Sequence, residues 1–227
     1  MYIEKYGIKL IRLKEEHLEL VRKWRNDTSI NQYMDYKKKI SKEEQIKWFK
    51  SIDNIYNSYY VIEYNNKLIG LINEKNIDYE EKSAEAGLFI WDKECVNSPV
   101  PLYASLCLLE IGFVIAKGEK CFIKVHRKNK NAIEYNKKMG FEFFQKINDD
   151  FDMYVLNKDG FENKVKKIIK AVLQLTGNKD LGSVTIEKYD FDYGIGHFTE
   201  KIIRESGLKF IKTKEGDNVK YSYNWRL

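Results

Sequence analysis

Proline is nearly missing from this chain: Pro99 and Pro101 are the two in 227 residues. Residues 1–157 hold nothing that reads as a linker. Cysteine is scarce as well, with Cys95, Cys107 and Cys121 at no C-x-x-C spacing. That excludes a disulfide frame or a zinc site and suits reduced thiols; no metal is expected. No apolar run approaches the ~20 residues of a membrane helix. The first residues carry no signal-peptide core, so the expectation is a cytoplasmic protein without membrane insertion. The excess of one charge is small, +6 from 40 Lys and Arg against 34 Asp and Glu. Its lysines are interleaved with acids, and the densest run, Lys37-Lys38-Lys39, reads as a solvated loop. A nucleic-acid partner is therefore not expected, only a mild preference for anionic ligands.

Hydrophobic residues make up 43% and aromatics 14%, enough for a substantial core. Ile8–Leu13 alternates as a strand, and Glu15–Asn26 has apolar residues at helical spacing. Ser41-Lys42-Glu43-Glu44 is a capping box that opens a helix with Ile46, Trp48 and Phe49. Ser58–Tyr64 and Lys67–Asn73 form a hairpin across Asn65-Asn66, because Asn tolerates positive φ. Ala84–Trp91 is a further strand. Leu102–Lys117 is apolar nearly all round and predicts a helix buried against the sheet. Cys121–Val125 reads as a strand and Lys130–Met139 as a helix ended by Gly140. Phe141–Lys146 and Met153–Leu156 then pair. The expected fold is α/β (α+β), one mixed sheet with flanking helices.

A boundary falls at Lys158-Asp159-Gly160, dividing a domain over 1–157 from a small α/β extension over 158–227. The extension predicts a helix (Asn163–Leu175), a strand (Ser183–Tyr189), a helix (Phe198–Ser206) and two strands (Lys209–Lys214, Val219–Trp225). It echoes the segment before it, Gly140 against Gly207 and Tyr154 against Tyr221, at a constant offset of 67. A half-domain repeat is one reading; chance recurrence of helix, glycine and strand is the other.

The prolines stand at a strand-to-helix turn, where many α/β proteins hold a phosphate on unpaired helix N–H groups. Proline brings no N–H. The pair thus removes donors from a place where a cofactor would bind.

The run Asn129-Lys130-Asn131-Ala132-Ile133-Glu134-Tyr135-Asn136-Lys137-Lys138-Met139-Gly140-Phe141 resembles the N-x-x-A-x-x-x-Y-x-x-x-G-F ending of the GNAT superfamily of acyl-CoA-dependent N-acetyltransferases. It matches at Asn129, Ala132, Gly140 and Phe141. Lys23-Trp24-Arg25-Asn26, Ile30-Asn31-Gln32-Tyr33-Met34 and the strand Ala84-Glu85-Ala86-Gly87-Leu88-Phe89 are similar to a GNAT subgroup acting on nucleotide-linked amino sugars, as in pseudaminic acid biosynthesis. The resemblance spans roughly residues 6–157. It implies a mostly antiparallel sheet with acetyl-CoA as co-substrate, pantetheine lying along Leu88, Phe89 and Ile90 as a pseudo-strand. Ser98, Val100, Leu102 and Tyr103 would meet the pyrophosphate, and Asn129 and Asn136 the rest of the cofactor. Trp24, Arg25, Asn26, Asn31 and Met34 would meet the acceptor. Glu85 or His126 would take the amine proton.

Two departures stand out. Pro99 and Pro101 fall on the glycine positions of the family's pyrophosphate loop, and Asn136 falls on its general-acid tyrosine, with Tyr135 about 100° away on the helix. Glu85 reads equally as a solvent-facing charge, His126 as a surface histidine, Arg25 and Asn26 as helix-end residues, and Trp24 as core. The expected activity is acetyl transfer to a primary amine, of a small molecule or nucleotide sugar, in surface glycan biosynthesis. The alternatives are a protein N-terminal acetyltransferase, or a GNAT-fold binding or scaffold protein that has lost catalysis. Homodimerisation stays open.

Overall fold

The computed structural model describes residues 1–177 and 182–223. It begins with β1 (Tyr2–Lys5) and β2 (Ile8–Arg12), turned through Tyr6 and Gly7 at φ 57° and 73°. β1 was not expected; four residues offer too little alternation to read. After a 3-10 turn, α1 (Leu18–Arg25) buries Leu18 and Val21. α2 (Thr28–Asn31) starts on the Asp27 side chain, and α3 (Lys42–Ile52) on the expected capping box, Ser41 and Glu44 each accepting the other's amide. β3 (Ser58–Tyr64) and β4 (Lys67–Asp78) turn at Asn65 and Asn66, φ 50° and 60°, as their sequence predicts.

β5 (Ser83–Ile90) leads through α4 (Lys93–Val96) into α5 (Val100–Glu110), which starts two residues earlier than expected and ends in a π-helical turn, Ile111–Ile115. β6 (Lys120–His126), α6 (Lys130–Lys138), β7 (Glu142–Lys146) and β8 (Phe151–Asn157) follow. Asn157 caps α7 (Lys158–Gly160), which runs through a second π turn, Phe161–Val165, into α8 (Lys166–Leu175). β9 (Gly182–Ile186) is shorter than the expected strand to Tyr189. Glu187 and Asp190 form a capping box there and start α9 (Lys188–Asp192). α10 (Ile195–Glu205), β10 (Phe210–Glu215) and β11 (Asn218–Tyr223) complete the described chain; Trp225, the expected strand end, lies outside it.

The described strands make one sheet in the order β10-β11-β9-β1-β2-β3-β4-β5-β6-β8-β7, antiparallel except between β5 and β6. The fold is the expected mixed, mostly antiparallel sheet flanked by helices. The strands beyond residue 158 extend this sheet from β1, with Tyr2 opposite Thr185. Each face carries a core. Leu13, Leu18, Val21, Phe49, Val61, Leu71 and Trp91 pack on the α1 and α3 face. The larger cluster fills the α5 and α8 face, where α5 is buried nearly all round. Its one acid, Glu110, is fully buried and accepts from Lys5 Nζ at 2.8 Å and Tyr6 Oη at 2.7 Å. This ties α5 to the first hairpin.

Candidate active site

β5 and β6 pair in parallel only from Ser83↔Lys120 to Ala86↔Ile123. β5 then stays on β4 as far as Ile90↔Gly70, while β6 stays on β8 as far as His126↔Phe151. The two strands part. Among the described residues, Leu88, Phe89 and Ile90 therefore border a gap with one main-chain edge left without a strand partner, and such groups require a hydrogen-bond partner. At Gly87 a Cβ would stand 2.8 Å from Asn73 Oδ1, so only glycine lets the neighbouring side chain lie over the strand here.

α5 starts at the mouth of this gap. Ser98 Oγ accepts from the Val100 amide at 3.2 Å and donates to Cys95 O at 2.8 Å. Tyr103 N donates to Pro99 O at 3.0 Å. With Pro101 lacking an N–H, Leu102 holds the remaining amide of the first turn. So of the four expected pyrophosphate contacts, the Val100 and Tyr103 amides and the Ser98 hydroxyl are committed within the protein.

On α6, Asn129 Oδ1 caps the helix through the Ala132 amide at 3.1 Å, and Asn136 Nδ2 donates to Ala132 O at 2.7 Å. Both asparagines thus hold backbone, and Asn136 keeps its carbonyl and one amide hydrogen for other partners. Tyr135 Oη lies 2.9 Å from Ser105 Oγ and 3.2 Å from Pro101 O. Burial pushes its phenol up to about 12, against the Ser105 hydrogen bond. It fastens α6 to α5. His126 is buried, not a surface residue. Its Nδ1 accepts from Lys128 N at 3.1 Å, and its ring meets the edges of Phe151 and Tyr33. An ion pair from Lys124 to Asp35 fixes the loop after α2 beside it.

Glu85 shares the α1 and α3 face with His126, since it lies opposite Phe122 on β6; it is half-buried and paired to Lys75 Nζ at 2.9 Å. Near it, burial raises the Tyr59 phenol to about 12, with Arg25 drawing it down and Glu85 pushing it up. Arg25 Nη1 donates to Gln45 Oε1 at 3.1 Å and its guanidinium sits 4.5 Å over the Trp48 ring. Burial lowers its pKa. Gln45 is 1% exposed, and among the described residues its Nε2 has no hydrogen-bond partner. Asn26 is committed: its amide exchanges two hydrogen bonds with the Ile40 backbone, at 2.7 and 3.0 Å. Trp24 stacks on Trp91 at 6.1 Å and is packing. Asn31 and Met34 are half-exposed on the α2 side. The polar cluster is thus Arg25, Gln45, Tyr59, Lys75 and Glu85.

The acetyltransferase (GNAT) domain family matches residues 8–142. The chain belongs to the GNAT family. No curated protein sequence matches it significantly. Among solved structures, the Vibrio cholerae spermidine N-acetyltransferase, in complex with CoA and spermine, is similar at 21% identity and TM-score 0.61, covering 69% of this chain and 99% of that one. FdhC, a nucleotide-linked sugar GNAT, is similar at 19% identity and TM-score 0.62, covering 74% and 97%. The Campylobacter jejuni N-acetyltransferase PseH is similar at 21% identity and TM-score 0.51, covering 67% and 99%. At these identities the likeness is one of fold.

GNAT enzymes use acetyl-CoA, and this GNAT chain fits it in part. The parted strands offer an open main-chain edge, and the first turn of α5 offers one free amide where glycine loops offer several. A Gly-x-Gly run, Gly194-Ile195-Gly196, stands at the start of α10. A Cβ on Gly196 would meet Phe191 Cδ1 at 2.8 Å and Ile186 Cγ2 at 2.9 Å, so the glycine serves close packing. Gln45, Tyr59 and Lys75 escaped the sequence reading. Alternation on β3 and β4 places Tyr59 and Lys75 on the face of Val61 and Leu71, with Glu85 opposite Lys75 on β5, and this is the signal that would have found two of them. Among the described residues no cluster could hold a metal, and no helix is long and apolar enough to cross a membrane.

Proposed function

We propose that this protein transfers an acetyl group from acetyl-CoA to the primary amine of a nucleotide-linked amino sugar. The observation that carries the reading is the parting of β5 and β6 after Ala86 and Ile123. Acetyl-CoA supplies the activated acyl group, with Leu88, Phe89 and Ile90 along its slot and Leu102 N–H at the helix mouth. The acceptor enters from the α1 and α3 face. Arg25, over the Trp48 ring and, among the described residues, without a carboxylate partner, receives the anionic nucleotide portion, for which a guanidinium fork is suited. Glu85 takes the amine proton directly or through a water, with Lys75 holding its carboxylate in place at 2.9 Å. Asn136 stands where the thiolate departs; an alkyl thiolate of pKa near 8.5 leaves without obligatory protonation.

Titration calorimetry with acetyl-CoA, followed by mass detection of acetylated products from a nucleotide 4-amino sugar, spermidine and an N-terminal peptide, tests this. Binding with acetylation of the sugar nucleotide supports it. Acetylation of spermidine or peptide alone overturns the acceptor. No binding at millimolar acetyl-CoA favours the second reading, a GNAT-fold binding protein, for which the spent donors at Ser98, Val100 and Tyr103 are the specific observation.

A further inference from the structure

A cavity of about 150 Å³ lies on the α5 face, at the other end of β5 from the cofactor gap. Its floor is the start of β5 and β6 at Ala84 and Cys121, one wall is the π turn after α5, and its roof is α10. The roof brings Ile195, Phe198 and Ile203 from beyond residue 158, so the cavity exists only because that segment docks on the first domain. A π turn inserted in a helix is frequently found beside a site.

Into this mostly apolar space projects the carboxylate of Glu74, from β4. A Cβ on Gly112 would lie 2.9 Å from Glu74 Oε1, so the glycine in the π turn is what lets the carboxylate lie there. Among the described residues, no hydrogen bond or ion pair reaches it. Burial alone raises it to about 7.

The groups around it do not supply the missing charge. Arg12 donates to Asp53 at 2.7 Å, and Asp78 accepts the Glu80 and Glu81 amides, both at 2.9 Å. Lys82 and Lys120 stand exposed at the rim. Burial pushes the Cys121 thiol and the Tyr60 and Tyr79 phenols up, so all three stay neutral. An unpaired carboxylate in an apolar space is costly unless a counter-charge joins it. At the opening, aromatic rings cluster: Phe198 meets Tyr79 edge-on at 5.0 Å, and Tyr79 meets Tyr56 at 5.9 Å. Aromatic faces beside a carboxylate are a setting that favours an organic cation.

The geometry points to a second ligand site, for a primary ammonium with a compact apolar body, its charge on Glu74 and its hydrocarbon under α10. An apolar cavity of this volume holds a molecule of about benzene's size. The site is separate from the acetyl-transfer gap and does not depend on what that gap binds. Because core and roof both line it, the ligand also fastens the C-terminal segment to the first domain.

The test is calorimetry and thermal unfolding of the full chain at about pH 8, where the carboxylate is ionised. The probes are benzylamine and its uncharged analogue benzyl alcohol, with wild type, Glu74→Gln and Ala84→Phe, which fills the cavity. Saturable benzylamine binding with a raised midpoint, at least about tenfold tighter than the alcohol, is expected. Glu74→Gln loses that preference while keeping its circular dichroism, and Ala84→Phe binds neither probe. No binding of benzylamine at millimolar concentration overturns the proposal. So does equal affinity for the alcohol. Benzylamine bound by Glu74→Gln as tightly as by wild type places it elsewhere, and that too overturns it.

Discussion

The two ends of the sheet share one connectivity and differ in what it builds. At one end β6, α6, β7 and β8 lie in the order β6-β8-β7; at the other β9, α10, β10 and β11 lie in the order β9-β11-β10. Each helix is followed by a glycine at positive φ, Gly140 at 96° and Gly207 at 72°. Each strand pair carries an edge-on aromatic contact, Phe143 with Tyr154 and Phe210 with Tyr221, at the 67-residue offset legible in the sequence. The difference is the neighbour. β6 lies parallel to β5 and leaves it after four pairs, which opens a gap. β9 lies antiparallel to β1 along Tyr2, Ile3 and Glu4, which closes the sheet. The same unit makes a cleft beside a diverging parallel strand and a seal beside an antiparallel one.

The severest way to break this comparison is to remove the sealing unit. A chain ending at residue 157 exposes the β1 edge and loses Phe161, Val165 and Ile169, each at most 1% exposed. Its expected outcome is insoluble or molten protein by gel filtration and near-UV dichroism. A soluble monomer melting like the full chain would show the unit to be dispensable. Next, Glu110→Ala removes the carboxylate that Lys5 and Tyr6 share in the core and should cost about 3–5 kcal/mol in urea unfolding, as breaking one side of a buried pair does.

Glu74 gives the third test, on the sealed side. Its folded pKa of about 7 exceeds the ordinary 4.5, so the folded state holds the proton more tightly than the unfolded one. Below about pH 4.5 the carboxyl is neutral in both states and exacts no penalty. Stability should fall as pH rises through 4.5 to 7, by up to about 3 kcal/mol, and Glu74→Gln should flatten that fall. An unchanged pH profile in the variant would assign the fall to other groups.

On the open side, Pro99→Gly/Pro101→Gly restores two amides at the mouth and should tighten acetyl-CoA binding by about tenfold, roughly 1.4 kcal/mol. If calorimetry finds no change, the prolines do not limit the grip. The smallest effect separates the aromatic pairs. Phe143 is 58% exposed whereas Phe210 is half-buried and touches both Tyr221 and Tyr223. Phe210→Ala should therefore cost about 1 kcal/mol more than Phe143→Ala. Equal costs would make the two edges energetically alike.

Much of the fold was legible because its signals are local. The Ser41 capping box, the Asn65-Asn66 turn and the unbroken apolar run of α5 each specify their own element. What escaped depends on distance. β1 is a strand because β2 and β9 flank it, and α9 displaces the end of a strand because Glu187 and Asp190 cap each other. The candidate site divides in the same way. Leu88, Phe89 and Ile90 could be placed by motif, and they border the gap. Asn26 could not be judged, since its partner, the Ile40 backbone, is brought to it by the folded loop. Glu74 was readable in principle: it shares a strand face with Ile72, and an acid at that parity is out of place.

The short strand β1 also sets a timetable. Tyr2 meets Ile11 within one hairpin but meets Thr185 only after most of the chain is made. At about 5–20 residues per second, the first hairpin waits on the order of ten seconds or longer for β9 during synthesis. Throughout that interval one edge of β1 is open to strands from other nascent chains, and the hazard is aggregation before completion rather than instability afterwards. Glu4, which comes to lie opposite Ser183, puts a charge on that waiting edge, where charge discourages a wrong partner.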